Sequence, residues 1–195
     1  MQGDWIKQTM PILAPEPQIY PANLLDCPER DRDGDHMWWV AHTRPRCEKA
    51  LARKLVSRDV AHYVPQTARP SRSRSGRKRT SFEPLFAGYA FVFGTEADRI
   101  CVLESGAVAS LLAVSDGDRL TADLLQIKRL LESGQPYSKE TRLDPGAAVR
   151  IVSGPFDGFE GVLLKRRAGD CLLVSIEYLQ RGVSIEIGEC DVERI

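Results

Sequence analysis

The stretch DPGAAVRIVSGPFDGFEGVLLK, residues 144–165, decides how the second half of this chain folds. Its apolar runs AVRIV (148–152) and GVLLKR (161–166) are short and rich in β-branched side chains, and Gly154-Pro155 stands between them as a tight turn. Phe156 and Phe159 are placed to seal an interior, and Gly161 stands where a side chain would obstruct the next strand. Downstream, CLLVSIEYL (171–179) and VSIEI (183–187) repeat the pattern, with Gly158 and Gly169 at further turns. About fifty residues holding four or five such strands bury their apolar faces only by curling into a small barrel. Glycine and proline interrupt every long helical window, so strands, not helices, are expected throughout 144–195.

Moving upstream, the pattern changes to short strands and amphipathic helices. WWVAH (38–42) reads as a strand, and Thr43 with Pro45 starts a helix that places Cys47, Leu51 and Leu55 on one face. AHYVPQ (61–66) and LFAGYAFVFG (85–94) are further strands, the second with aromatics at 89, 91 and 93 on one side of the pleat. Between them RPSRSRSGRKR (69–79) forms a basic hairpin tip without an acid. A short helix over 96–104, a strand over 108–114, an SDGD turn (115–118) and a helix capped by Thr121 complete the order β α β β α β α. The expected class is α+β, with helices covering one side of an antiparallel sheet, followed by the small barrel. The expected organisation is a proline-rich, acidic, extended appendage (1–35), a mixed domain (36–134), a linker (135–143) and the barrel (144–195).

Composition narrows the function. With 195 residues and 43% apolar side chains the chain can close a core, and it has no run of 18 apolar residues and no secretory leader, so a cytoplasmic protein is expected. Cys27, Cys47, Cys101, Cys171 and Cys190 form no CxxC pair, which argues against a disulfide framework or a zinc knuckle. His36, His42 and His62 accompany no nucleophile elbow, HExxH or Walker loop, so neither an enzymatic role nor a metal or cofactor is expected. Net charge is zero, yet residues 1–35 hold 3 basic and 7 acidic side chains, residues 36–143 hold 18 and 11, and residues 144–195 hold 6 and 9. A basic middle between acidic ends suits nucleic acid or an acidic protein surface.

The run VRI, GPF, GFEG and a second apolar strand resembles a KOW motif in its bacterial NusG form, with Gly154, Pro155, Phe156 and Gly161 as its marks. WWVAHTRPRCEKALARKL (38–55) and EPLFAGYAFVF (83–93) resemble the opening strand-helix and central strand of the NusG N-terminal (NGN) domain, and EPLF before a YxF strand is closest to the RfaH branch. The resemblance covers residues 36–195 and implies a transcription elongation and antitermination factor, monomeric and without a catalytic step. It implies docking on the clamp helices of RNA polymerase through Tyr89, Phe91, Leu111, Leu124 and Ile127, each of which could instead be buried in the domain itself. Arg44 matches a basic position that lies near DNA in the family, and Arg46, Arg99 and the hairpin cations Arg72, Arg74, Arg77, Lys78 and Arg79 extend a candidate contact with non-template DNA.

The KOW barrel of the family recruits Rho or the ribosome. Housekeeping members carry SIFGR in the late barrel loop, whereas this chain reads SIEYLQR (175–181), with Leu179 at the Phe position, Gln180 at the Gly position and Arg181 following. Leu179 and Arg181 are the candidate partner contacts. That departure, with the N-terminal extension, implies a specialised paralogue acting on selected operons. The alternative is a KOW-containing ribosome- or RNA-binding protein, against which the negative charge of residues 144–195 speaks.

Overall fold

Both residue sets of the strand MWWVAHT are apolar in its middle, and so are those of YAFVFG, which means that a sheet built from them must be covered on two faces. The computed structural model of the chain describes residues 17–26, 34–72, 78–140, 146–166, 169–187 and 190–195. Its elements are β1 (Ile19–Tyr20), β2 (Met37–Thr43), α1 (Glu48–Val56), β3 (Ala61–Tyr63), β4 (Gln66–Arg72), β5 (Lys78–Pro84), β6 (Tyr89–Gly94), α2 (Glu96–Glu104), β7 (Val108–Ala113) and α3 (Gly117–Glu132). They continue with β8 (Tyr137–Glu140), β9 (Ala147–Ile151), β10 (Glu160–Arg166), β11 (Gly169–Ile176), a 3-10 turn (Glu177–Leu179), β12 (Arg181–Glu186) and β13 (Val192–Arg194).

The first sheet runs β1-β3-β6-β2-β7, all antiparallel, with Val40 opposite Phe91 and Trp38 opposite Phe93. Trp38, Val40, Tyr63 and Phe91 pack with Leu120, Leu124, Ile127 and Leu130 of α3. Ala41, Ala90 and Val92 pack on the other face with Leu51 and Leu55 of α1 and Val102 of α2. The expectation of helices on a single side is therefore corrected: α3 lies opposite α1 and α2, because both faces of β2 and β6 are apolar.

Local chemistry sets the helix starts. Thr95 and Asp98 form a reciprocal capping box at α2. At α3 the cap is Asp116, whose carboxylate accepts from the Arg119 amide at 2.8 Å. Thr121, expected to cap, sits inside the first turns instead; its hydroxyl donates to the Gly117 carbonyl and accepts the Trp38 indole N–H at 2.9 Å, tying α3 to β2.

Residues 17–26, assigned by composition to an extended appendage, pack on the domain. β1 lies along β3, the Val64 amide donates to the Gln18 carbonyl at 2.6 Å, Leu24 and Leu25 are buried, and Lys128 of α3 pairs with Asp26 at 2.7 Å. Apolar residues inside the proline-rich stretch outweigh its average composition. The basic hairpin is a separate two-stranded sheet, β4-β5, with Gln66 opposite Pro84 and Arg72 opposite Lys78. Arg74 and Arg77 of its tip lie outside the described residues.

The second sheet runs β13-β9-β10-β11-β12-β8. Val149, Ile151, Leu172, Val174, Ile176, Val183 and Ile185 share its interior with Phe156 and Phe159, whose rings meet edge to face at 5.9 Å. A Cβ on Gly161 would lie 2.3 Å from the Leu173 carbonyl, which is the obstruction its position foretold. The segment expected as a linker contributes β8, paired along β12 with Tyr137 opposite Ile185. The interiors of the two halves are continuous through α3, and Gln126 of that helix accepts from the Glu160 amide at 2.7 Å.

Candidate partner and nucleic-acid interface

The five residues expected in a docking depression do not share one surface. Phe91, Leu124 and Ile127 are fully buried between the sheet and α3. Leu111 packs on the opposite face, against the layer of α1 and α2, because it stands opposite Ala41. A bulge between His42 and Thr43 brings Val108 and Leu111 to one face despite their odd spacing. Leu112, opposite Val40 and 51% exposed, takes the place on the α3 face that sequence reasoning gave to Leu111. Tyr89 is half-buried at the end of the aromatic row, its ring 5.3 Å from that of His42.

Tyr89 is also where the two halves of the chain meet. The Arg181 guanidinium lies 4.9 Å above the centre of its ring, and the Tyr178 hydroxyl donates to the Ala113 carbonyl of β7 at 3.2 Å. Leu179 packs partly buried against the common core. The candidate contacts of the C-terminal half therefore face the N-terminal half. Gly154 turns the chain with φ +86°, and Phe156 and Gly161 serve packing, as their buried positions show.

The basic residues divide into three groups. Arg44 and Arg46 line a groove of about 830 Å³ between the start of α1, the base of the β4-β5 hairpin and Lys139 of β8. Arg46 holds left-handed backbone with φ 61°. The Glu48 carboxylate is buried and accepts from the Gly88 amide at 2.7 Å. Lys139 donates to the Pro84 carbonyl at 3.3 Å; desolvation lowers its pKa, with Arg69 acting in the same sense and Glu83 opposing. Arg72, Lys78 and Arg79 lie at the tip end of the hairpin, opposite the Pro84 end that lines this groove. Arg99 belongs to neither: it is on α2, ion-paired with Glu96 at 2.6 Å, which raises its pKa.

A family model described as transcription termination factor nusG matches residues 36–120, from just before β2 to the first turn of α3. Residues 36–120 form a NusG-family domain. It is 25% identical over 177 residues to the transcription termination/antitermination protein NusG of Pseudomonas aeruginosa, covering 81% of this chain and 98% of that protein. Its identity to the protein of the same name from Xylella fastidiosa is 22% over 153 residues, covering 65% and 80%. A crystal structure of an MjSpt4:Spt5 complex aligns at 15% identity over 82% of this chain and 98% of the other, with a TM-score of 0.26, too low to carry an argument. The NusG-family segment contains Tyr89, Leu112, Arg44, Arg46 and the whole basic hairpin, whereas β1, β8 and the C-terminal sheet lie outside it. No helix among the described residues is long and apolar enough to cross a membrane.

Proposed function

We propose that this chain is a specialised paralogue of the NusG-type elongation and antitermination factors, acting in the cytoplasm without a catalytic step. Its N-terminal domain, residues 36–134, docks on the clamp helices of RNA polymerase through Tyr89, with Leu112 in place of Leu111. Residues 144–195 serve as an SH3-like KOW barrel that meets a second partner, Rho or the ribosome, through Leu179 and Arg181. The observation that carries this reading is Tyr89, half-exposed at the end of a strand whose neighbouring Phe91 is fully buried, inside the matched segment. An amphipathic ring at such a position supplies contact area at little entropic cost.

Phe91, Leu124 and Ile127 act as the rigid support beneath that surface. Because Arg181 covers Tyr89, polymerase docking requires the two halves to part. The basic groove and hairpin lie beside this surface and suit the non-template strand. The test is binding of the full-length chain to purified RNA polymerase. Tyr89→Ala, checked as folded by circular dichroism, is expected to lose most of the affinity; full affinity in a folded variant removes Tyr89 from the docking surface.

A further inference from the structure

At the end of β6 away from Tyr89, a cavity of about 260 Å³ lies where β1, the turn after α1 and the first turn of α2 come together. Asp59 and Asp98 both line it, and among its described lining residues there is no lysine or arginine. One oxygen of the Asp59 carboxylate accepts from the Tyr20 hydroxyl, and one oxygen of Asp98 accepts from the Thr95 amide and hydroxyl at 2.8 and 2.9 Å. Each carboxylate keeps its second oxygen, and neither has a cationic partner among the described residues. A Cβ on Gly94 would lie 2.6 Å from the Asp98 carboxylate, so glycine is what leaves that group in place beside the cavity.

The other walls are flat. The His36 ring stands 5.6 Å from that of Phe93 and within 26° of parallel, and Tyr20 adds a third ring to the lining. Independently of the carboxylates, His36 Nδ1 is buried and has no hydrogen-bond partner, a state that is unfavourable until a hydrogen-bonding group reaches it. No three His, Cys, Asp or Glu side chains among the described residues are placed to share a metal ion, so the uncompensated charge and the flat walls together suit an organic cation. A guanidinium meets all of these features: its faces stack on rings, its N–H groups fork to carboxylate oxygens, and a further N–H remains for a histidine nitrogen. An ammonium has no flat face to offer. The volume exceeds the roughly 150 Å³ that encloses a benzene ring, which leaves room for a guanidinium and the start of its stem.

We infer that this cavity receives the guanidinium of an arginine side chain on a protein partner. A peptide-borne arginine brings only its positive charge, whereas the free amino acid also carries an α-carboxylate toward two aspartates. Tyr20 comes from β1, outside the segment that matches the family, so the site belongs to the N-terminal strand and the domain together. It stands at the opposite end of β6 from Tyr89 and depends on neither the polymerase nor the nucleic-acid reading.

The test is a titration of the isotope-labelled full-length chain with Nα-acetyl-arginine methylamide, followed by amide shifts at constant ionic strength and at a pH above the ordinary histidine pKa. Saturable shifts around Tyr20, His36, Phe93 and Asp98 are expected, with half-saturation in the millimolar range. Asp59→Asn keeps a carbonyl for the Tyr20 hydroxyl and suits the left-handed backbone at that position; it is expected to weaken binding about two- to fivefold. His36→Ala should weaken it severalfold, with thermal melts confirming that both variants fold. Shifts that fail to saturate, or an affinity unchanged in both folded variants, overturn the inference. Equal affinity for Nα-acetyl-lysine methylamide marks a site that reads charge alone and overturns the guanidinium. Tighter binding of free arginine than of the capped form marks a small-molecule site and overturns the protein partner.

Discussion

Arg181 of the C-terminal sheet stacks its guanidinium over the Tyr89 ring of the N-terminal sheet, 4.9 Å from the ring centre. Each is the residue through which its half is proposed to meet an outside partner, so the resting chain presents the two candidate surfaces to one another. A cation over a tyrosine face contributes about 0.5–1 kcal/mol where solvent reaches it. Arg181→Ala should therefore release part of the docking energy and tighten polymerase binding by about two- to fivefold. Titration of labelled polymerase with the two chains measures this; equal affinities would show that the contact does not gate access.

Tyr89 and Phe91 stand two residues apart on one strand and should separate cleanly when each is truncated. Phe91 has no exposed surface, so Phe91→Ala is expected to cost about 3–5 kcal/mol of stability. Tyr89→Ala leaves a half-buried site and should cost roughly 1 kcal/mol. Urea unfolding midpoints decide the matter, and similar losses in the two variants would contradict the burial assigned to them.

Gln180 occupies left-handed backbone, φ 52°, where housekeeping relatives resembled by this chain carry glycine. A side chain there costs about 1–2 kcal/mol of backbone strain, partly offset because glycine gains more freedom on unfolding. Gln180→Gly is expected to stabilise the chain by about 0.5–1 kcal/mol and raise Tm by a few degrees. Calorimetry on both proteins tests this, and a lower Tm in the variant would mean that the contacts of the Gln180 side chain outweigh the strain.

His62 should make stability depend on pH. Its Nδ1 lies 2.9 Å from the Val60 carbonyl, which can only accept, so Nδ1 carries the proton and a second proton would have to enter at Nε2. Nε2 is buried and without a partner, and burial lowers the pKa of the ring, with the Val60 bond opposing. The folded pKa lies below the unfolded one, so the unfolded chain takes up the proton first as pH falls. Stability is thus unaffected well above the ordinary histidine pKa of about 6.5 and is lost below it. Denaturant midpoints between neutral and mildly acidic pH should fall for the parent chain and fall less for a folded His62→Gln variant; parallel curves would exclude His62 as the source.

The continuous apolar runs in MWWVAHT and YAFVFG, the capping pair at Thr95 and Asp98, and the Gly161 approach are local signals, and each is readable from the residues alone. Arg44 and Arg46 came forward through the family resemblance, as cations just after the first strand, and both line the groove at the start of α1. What escaped depends on register or on distant packing. Leu112 exchanged places with Leu111 because the pairing of β7 with β2 is offset by a bulge. Lys139 looked like part of a polar linker until β8 paired with β12 and carried it to Pro84. Leu24 and Leu25 were masked by the prolines around them, although two adjacent leucines are a reason to dock.

Both flanks of the five-stranded sheet are occupied by chain from outside the segment that matches the family. β1 lies along β3 on one side, and Tyr178 reaches the carbonyl of Ala113 on β7 at the other. Cutting the chain down to residues 36–120 would strip away both, uncovering the backbone row of β3 that β1 pairs with and adding the Ala113 carbonyl to the open row of β7, the strand of the exposed Leu112. Such rows recruit strands from other molecules, so the trimmed piece is set to self-associate while the intact chain is not. The segments that look peripheral by sequence thus act as guards on the solubility of the sheet they flank.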